Sequence, residues 1–240
     1  MDDKINHGIH ENNNEAPTHR AASSSLRLPD MIICHSRFVL SLARQYGWKA
    51  GARYTNLRDV RHLNEVFFID IDWKNYDFER HLWAVQSKKP PLTVARDVTD
   101  ARELDEILHE AEKLSRSCER VIVVPKDAEL LNEKRLGIPT QFRLGYSVPT
   151  KYGKTTIPPE RFTGDVHLLG GRPDVQRKLA SRMNVVSLDG NRITLDAKFG
   201  DVFVGDRFTP LRNGNYERCL RMSFENVNRL WVHSKERIDG

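Results

Sequence analysis

Eight short apolar runs, rich in β-branched and aromatic residues, alternate with stretches of helical periodicity from residue 29 onward. Short runs of this kind are typical of buried parallel strands. The predicted strands are residues 31–34, 49–53, 66–70, 92–96, 121–124, 142–145, 166–169 and 185–188, of which 49–53 carries the weakest signal. Eight strands with helices between them predict an α/β chain folded as a compact (β/α)₈ TIM-like barrel.

The helical stretches support the same alternation. In residues 102–115, apolar side chains recur at three- and four-residue spacing, as on the buried face of an amphipathic helix. The predicted helices are residues 36–46, 76–87, 102–115, 127–134 and 173–182, with a closing helix over 216–231. A doubly wound open sheet is the alternative, but its usual Gly-x-Gly-x-x-Gly phosphate turn is absent.

The domain organisation follows from composition. Residues 1–28 are polar and nearly free of apolar side chains, which predicts a disordered tail, and residues 29–240 are predicted to form one barrel domain with a C-terminal helix. The chain has no apolar run of membrane-spanning length and no apolar signal-peptide core, so we expect a soluble, cytoplasmic protein that does not enter a membrane, in the host cytoplasm if a virus encodes it.

Charge and cysteine content bound the partners. The net charge of +5 fits either nucleic acid or a solvated basic surface with no such partner. Cys34, Cys118 and Cys219 lie far apart, which argues against disulfides and against a local zinc site, so we expect three buried thiols. No metal and no cofactor is expected.

Three of the predicted strands end on an aspartate or are followed directly by one: Asp70, Asp97 and Asp189. Each could cap the helix that follows it, because aspartate is favoured at helix N-termini. In a (β/α)₈ barrel, however, the carboxyl ends of the strands form the active-site rim. Three carboxylates at one rim indicate acid, base and nucleophile chemistry.

Other strand ends carry residues that suit a flat or phosphorylated ligand. Gly145 and Tyr146 follow one strand, and Gly170, Gly171 and Arg172 follow the next, where glycine allows a ligand to approach main-chain N–H groups. Simple turn chemistry would also explain these glycines.

Two further types of residue could contact a nucleotide. Lys126 ends another strand and either contacts phosphate or is merely solvated. Tyr146 and Tyr152 are predicted at loop positions where they could stack on a base. His35 and His167 are predicted to be structural.

Taken in order, these motifs resemble the tRNA-guanine transglycosylase superfamily, and most closely the phage and archaeal-virus branch that installs 7-deazaguanine bases in DNA. The resemblance spans about residues 30–205. Its most specific carriers are residues 166–171, 186–191 and 197–200; the others are residues 68–70, 94–98, 121–126 and 144–149.

The resemblance implies a (β/α)₈ barrel that exchanges guanine in DNA for a preQ0-type base without breaking the strand. By position, Asp189 would be the nucleophile and Asp70 the general acid/base. Asp97 would accept hydrogen bonds from the purine. The remaining implied contacts are the main chain of Gly145 and Tyr146 to the exocyclic groups, and Gly170 and Gly171 to the backbone phosphate.

Two departures keep alternatives open. The separated cysteines cannot supply the zinc site of the tRNA enzymes, which disfavours tRNA as the substrate. The Asp-Ser-Gly-Gly-Phe signature is also missing, so Asp72 competes with Asp70 for the acid/base role. A tRNA-directed transglycosylase and a catalytically silent nucleic-acid-binding barrel remain as alternatives, and partner proteins or a homodimer are compatible with the sequence.

Overall fold

The structure, a computed structural model, describes residues 28–150 and 155–232. The predicted tail and Tyr152 lie outside the described residues, apart from Leu28. Within the described part, the predicted α/β barrel is confirmed. Eight parallel strands close in sequence order, each hydrogen-bonded to the next and the eighth to the first.

All eight predicted strands are present, including the weakly predicted second one. They are β1 (Asp30–Cys34), β2 (Lys49–Arg53), β3 (Phe68–Asp70), β4 (Leu92–Val94), β5 (Arg120–Val123), β6 (Arg143–Ser147), β7 (Asp165–Leu169) and β8 (Asn184–Asp189). The fully buried side chains of Ile32, Phe68, Ile122 and His167 help to fill the interior, and the rings of Phe68 and His167 lie 5.6 Å apart. The barrel is therefore a packed core with its loops at two ends.

Six α-helices are present in the described part of the chain, and five of them correspond to predicted helices. They are α1 (Arg37–Gln45), α2 (Phe78–Lys88), α3 (Leu104–Ser115), α4 (Pro173–Leu179), α5 (Arg192–Ala197) and α6 (Tyr216–Val232). The prediction for residues 127–134 was wrong in type: two 3₁₀ helices, Ala128–Asn132 and Lys134–Gly137, replace an α-helix there. Left-handed backbone at Arg135, Leu136 and Gly137 prevents a regular helix at this point.

A two-stranded hairpin that was not predicted follows α5. It consists of β9 (Asp201–Val204) and β10 (Arg207–Pro210), joined by the two-residue turn Gly205-Asp206. Gly205 has a φ of 62°, which a primed hairpin turn requires at its first central position.

Helix α6 closes the fold against the hairpin and the first βαβ unit. Asn228 accepts a hydrogen bond from the Trp48 indole at 2.9 Å and donates one to the Tyr46 carbonyl at 2.8 Å. The buried residues of α6 recur at three- and four-residue spacing: Cys219, Leu220, Ser223, Phe224, Val227 and Trp231. Among the described residues, no helix is both long enough and apolar enough to cross a membrane.

Candidate active site at the carboxyl end of the barrel

The three predicted aspartates lie at the same end of the barrel. Asp70 is the last residue of β3, Asp189 is the last residue of β8, and Asp97 follows β4 by three residues. Because all eight strands are parallel, these positions share the carboxyl-end rim. The charges of Asp189 and Asp97 both act on Asp70, which places each of them within electrostatic range of Asp70.

Asp70 is the most perturbed carboxyl group of the rim. Burial, followed by the negative charge of Asp189, raises its pKa from 3.8 to about 7. Two contacts oppose this rise: the Arg53 guanidinium, whose Nε lies 3.8 Å from Oδ2, and the Ile71 N–H, which donates to Oδ1 at 2.8 Å. Asp70 therefore exchanges its proton near neutral pH, as a general acid/base must.

Asp189 is held by its neighbouring strand and loop. Its Oδ1 accepts the main-chain N–H of Gly170 at 3.0 Å and lies 3.4 Å from His167 Nε2. Its Oδ2 has no hydrogen-bond partner among the described residues. The carboxylate is thus fixed through one oxygen, while no described residue engages the other.

A buried hydrogen-bonded chain supports Asp189 from inside the barrel. Arg143 donates to Ser187 Oγ at 3.0 Å, and this oxygen lies 2.8 Å from His167 Nδ1. We assign the Ser187 hydroxyl as the donor to Nδ1 and the Nε2–H as the donor to Asp189, because this tautomer satisfies every group in the chain. Burial lowers the pKa of His167, which favours the neutral imidazole that this assignment requires.

Gln176 locks the loop that holds Asp189. Its side-chain amide donates to the main-chain carbonyls of both Gly170 and Asp189, each at 2.7 Å, and it is 3% exposed. Gly170 and Gly171 have φ angles of 64° and 88°, and a Cβ on Gly171 would lie 2.3 Å from Val148. Turn geometry and close packing therefore require these glycines, and the Gly170 N–H binds the protein's own carboxylate.

Asp97 is paired with the residue predicted to contact phosphate. Its carboxylate forms an ion pair with the Lys126 ammonium, and both side chains are about one-fifth exposed. A bridge between Val98 and Pro125 aligns the two segments. The pair forms the part of the rim that follows β4 and β5.

Cys34 lies beside the two strand-end carboxylates. Burial raises the pKa of its thiol, and the negative charges of Asp70 and Asp189 raise it further. A Cβ on Gly51 would lie only 2.6 Å from the Cys34 sulfur, so glycine at β2 leaves the space that the thiol fills. The prediction of three buried thiols was wrong for Cys34 and Cys118, which are partly buried; Cys219 is buried.

The placement of Tyr146 differs from the prediction. It lies within β6 instead of a loop, and its ring is 4% exposed and packs edge-on against Phe162 at 4.9 Å. Alternation along the strand turns this ring outward, away from the barrel interior. This position excludes stacking of the Tyr146 ring on a base in this conformation. It does not affect the predicted contact of the Tyr146 main chain with the purine.

Gly145 faces the interior of the barrel. A Cβ there would lie within 3.0 Å of Ile122, Val124 and Leu169. Pairing of β6 with β5 ends at Leu144, whereas its pairing with β7 continues to Ser147. The main chain of Gly145 and Tyr146 is thus free of the β5 ladder, as the predicted purine contact would need.

Arg172 and Asp72 make local contacts. Arg172 donates to Asp174 at 2.9 Å and to the Asp206 carbonyl at 3.2 Å, so its side chain tethers the hairpin to α4. Asp72 accepts the main-chain N–H of Lys74 at 3.3 Å within the loop after β3. A phosphate contact for Arg172 remains a prediction.

Sequence reasoning missed three residues of this site: His167, Gln176 and Cys34. His167 had a usable signal, since it lies two positions before the end of the strand that precedes Gly170, and alternation points it inward. Gln176 had no such sequence signal, because glutamine is common in the first turns of helices that have no functional role. In the part of the chain that the structure describes, no group of three or more histidine, cysteine or acidic side chains is placed to hold a metal ion.

Comparison with protein families gives one match. A family model described as a family of unknown function, DUF6610, matches residues 43–232. The match covers most of the chain, including β2 to β8, and the chain therefore belongs to this family. No curated protein matches the chain significantly.

Proposed function

We propose that this member of the DUF6610 family is a glycosyltransferase that exchanges guanine in DNA for a 7-deazaguanine of the preQ0 type. The single observation that carries the proposal is the pair Asp70 and Asp189. The two carboxyl groups share one rim, and burial together with the Asp189 charge raises the pKa of Asp70 to about 7. Two carboxyl groups whose environments separate their protonation behaviour suit an acid/base and a nucleophile.

The first half-reaction uses both groups. Asp189 Oδ2 attacks the anomeric carbon, the bond from that carbon to the guanine nitrogen breaks, and a covalent glycosyl-aspartate forms. Protonated Asp70 gives its proton to the departing purine nitrogen, so the leaving group departs neutral. Splitting the exchange in this way replaces one difficult displacement with two easier ones.

The second half-reaction reverses these roles. Asp70, now a carboxylate, removes the proton from the ring nitrogen of the incoming deazapurine. That nitrogen attacks the anomeric carbon, and the bond to Asp189 breaks. A pKa near 7 serves both directions, because the group must donate and accept one proton in each cycle.

The contacts of the site support Asp70 over Asp72 as the acid/base. The negative charge of Asp189 raises the pKa of Asp70. Asp72 instead accepts the Lys74 N–H within the turn that follows β3. Asp97, with Lys126 beside it, would accept hydrogen bonds from the purine edge. A target base within a duplex must first be flipped out, at a cost of about a few kcal/mol.

The test is incubation of DNA and a radiolabelled deazapurine with the protein, followed by measurement of label in the DNA. We expect incorporation that depends on Asp189. Substituting tRNA for DNA tests the tRNA-directed alternative, and label in tRNA alone would replace the DNA assignment. No incorporation into either nucleic acid would overturn the proposal.

A further inference from the structure

A basic cleft lies beside the candidate active site, at the same end of the barrel. It has a volume of about 250 Å³, and five residues form this basic cleft: Arg37, Arg58, Asp59, Arg61 and His62. Arg37 begins α1, directly after β1, and the other four follow β2. We propose that the basic cleft binds backbone phosphates of the DNA strand that carries the target base.

The charge of the basic cleft favours an anion. Three arginines face one aspartate there, which leaves an excess of positive charge without counting His62. The Arg58 side chain is 82% exposed, and its contact with Asp59 is long, at 3.8 Å. Among the described residues, neither Arg37 nor Arg61 has an ion-pair partner. Guanidinium groups that are not already paired can bind phosphate oxygens in bidentate fashion.

The wall of the basic cleft is a fixed part of the fold. A 3₁₀ helix, Leu57–Val60, carries Arg58 and Asp59, and Val60 anchors it with a fully buried side chain. The Arg61 N–H donates to the Arg58 carbonyl at 3.4 Å, and Leu63 donates to that of Val60 at 3.0 Å. The arginines are therefore presented on an ordered turn.

The basic cleft is close to the reacting groups. Arg53 is the last residue of β2 and lies five residues before Arg58. Its side chain contacts that of Asp70 at the end of β3. Five residues of extended chain span at most about 18 Å, and a DNA strand rises 3.4 Å per nucleotide. A base held at Asp70 and Asp189 would thus have phosphates of neighbouring nucleotides within reach of the basic cleft.

A further cation extends the positive field toward the site. Burial, followed by the positive charge of Lys198, lowers the pKa of His35, while the Asp59 charge opposes this shift. Lys198, at the end of α5, therefore lies within electrostatic range of the residue that follows Cys34. Lys198 therefore adds a positive charge near the end of β1, between the basic cleft and the strand ends.

The inference rests on the proposed function for the identity of the ligand, and its test is independent of turnover. Binding of a 20-base-pair DNA duplex is measured by fluorescence anisotropy between 50 and 200 mM salt, without deazapurine. The double variant Arg58→Gln/Arg61→Gln should bind more weakly, and its slope of log K against log salt should be shallower by about 2. Both side chains are exposed, and an unchanged thermal midpoint will show that the fold is intact.

The matched control is Arg44→Gln/Arg116→Gln, two exposed arginines at the opposite end of the barrel. It should leave the slope unchanged. An unchanged slope in the Arg58/Arg61 variant, or an equal loss in the control, would overturn the basic cleft as a phosphate site. A loss seen with an RNA hairpin but not with the duplex would overturn its assignment to DNA.

The labelling assay separates this result from the proposed function. If wild-type protein incorporates no deazapurine while the slope still depends on Arg58 and Arg61, base exchange fails and the phosphate site stands. If deazapurine is incorporated and the salt slope does not depend on these arginines, the phosphate site fails and base exchange stands.

Discussion

Gly170 donates its main-chain N–H to Oδ1 of Asp189 at 3.0 Å, across the ends of the two neighbouring strands β7 and β8. The loop that follows β7 thereby fixes the side chain that ends β8. In the proposed reaction, this bond orients the nucleophile and stabilises its charge before attack, so the residues that hold Gly170 in place affect the chemistry at a distance.

The first prediction concerns Gln176. Gln176→Leu removes the two hydrogen bonds to the Gly170 and Asp189 carbonyls. Leaving a buried carbonyl unpaired costs about 1–3 kcal/mol, so urea denaturation should show a loss of this order or larger. Formation of the covalent adduct should also slow, because the Gly170 N–H loses its alignment.

Gln86→Leu provides the control for this change, since Gln86 is exposed on α2 and its side chain has no hydrogen-bond partner among the described residues. Its unfolding free energy and adduct rate should match those of the wild type. Equal adduct rates in Gln176→Leu and wild-type protein would contradict the positioning role of Gln176.

The second prediction concerns the pH dependence of stability through Asp70. The folded protein holds this proton up to a pH of about 7, whereas the unfolded chain releases it near 3.8. Between these values the folded state binds more protons, so this group's contribution to the free energy of unfolding falls as pH rises, by about 1.4 kcal/mol per pH unit at most. Asp70→Asn removes that dependence.

The measurement compares urea unfolding of the wild type and Asp70→Asn at pH 5 and pH 8. The variant should gain stability relative to the wild type at pH 8, because its neutral amide replaces a buried carboxylate. Asp72→Asn is the control: because it keeps Asp70, its stability should change between the two pH values as that of the wild type does. A wild-type-minus-Asp70→Asn difference that does not change with pH would contradict the assigned environment of Asp70.

The third prediction concerns the close approach of β1 and β2. In Gly51→Ala, the new Cβ would lie 2.6 Å from the Cys34 sulfur and 3.1 Å from the Phe68 carbonyl. Overpacking of this kind costs about 1–3 kcal/mol. Cys34→Ala removes the sulfur, so the double variant should recover part of that loss in a double-mutant cycle.

Additive losses in this cycle would show that Gly51 and Cys34 do not contact each other. The control is Ala50→Gly, a change on the same strand, β2, that adds no volume. It should show no coupling to Cys34→Ala. Gly47→Ala is not used, because Gly47 has a φ of 82° that alanine would strain.

Much of the fold could be predicted because each strand is a short buried run with a strong local pattern. Even β2, with two small alanines and a glycine, is a strand, since the flanking strands require a partner at that position in the barrel. The β9–β10 hairpin was missed although Gly205-Asp206 between apolar runs is a hairpin signal.

The site could be predicted only in part. The strand ends gave Asp70, Asp97 and Asp189 because parallel strands bring their carboxyl ends to one rim. Tertiary contacts that join distant segments leave no local pattern. The Gln176 bonds to Gly170 and Asp189, and the Arg143–Ser187–His167 chain, depend on side-chain orientation across the closed barrel, which spacing along the sequence does not encode.

The most direct test of the account is trapping of the covalent intermediate. Wild-type protein and Asp189→Asn are incubated with labelled guanine-containing DNA without deazapurine, denatured and separated on a gel, with Asp174→Asn as a control at the same end of the barrel. We expect a protein–DNA adduct in the wild type and in Asp174→Asn and none in Asp189→Asn. An adduct that persists in Asp189→Asn would place the nucleophile elsewhere and contradict the account.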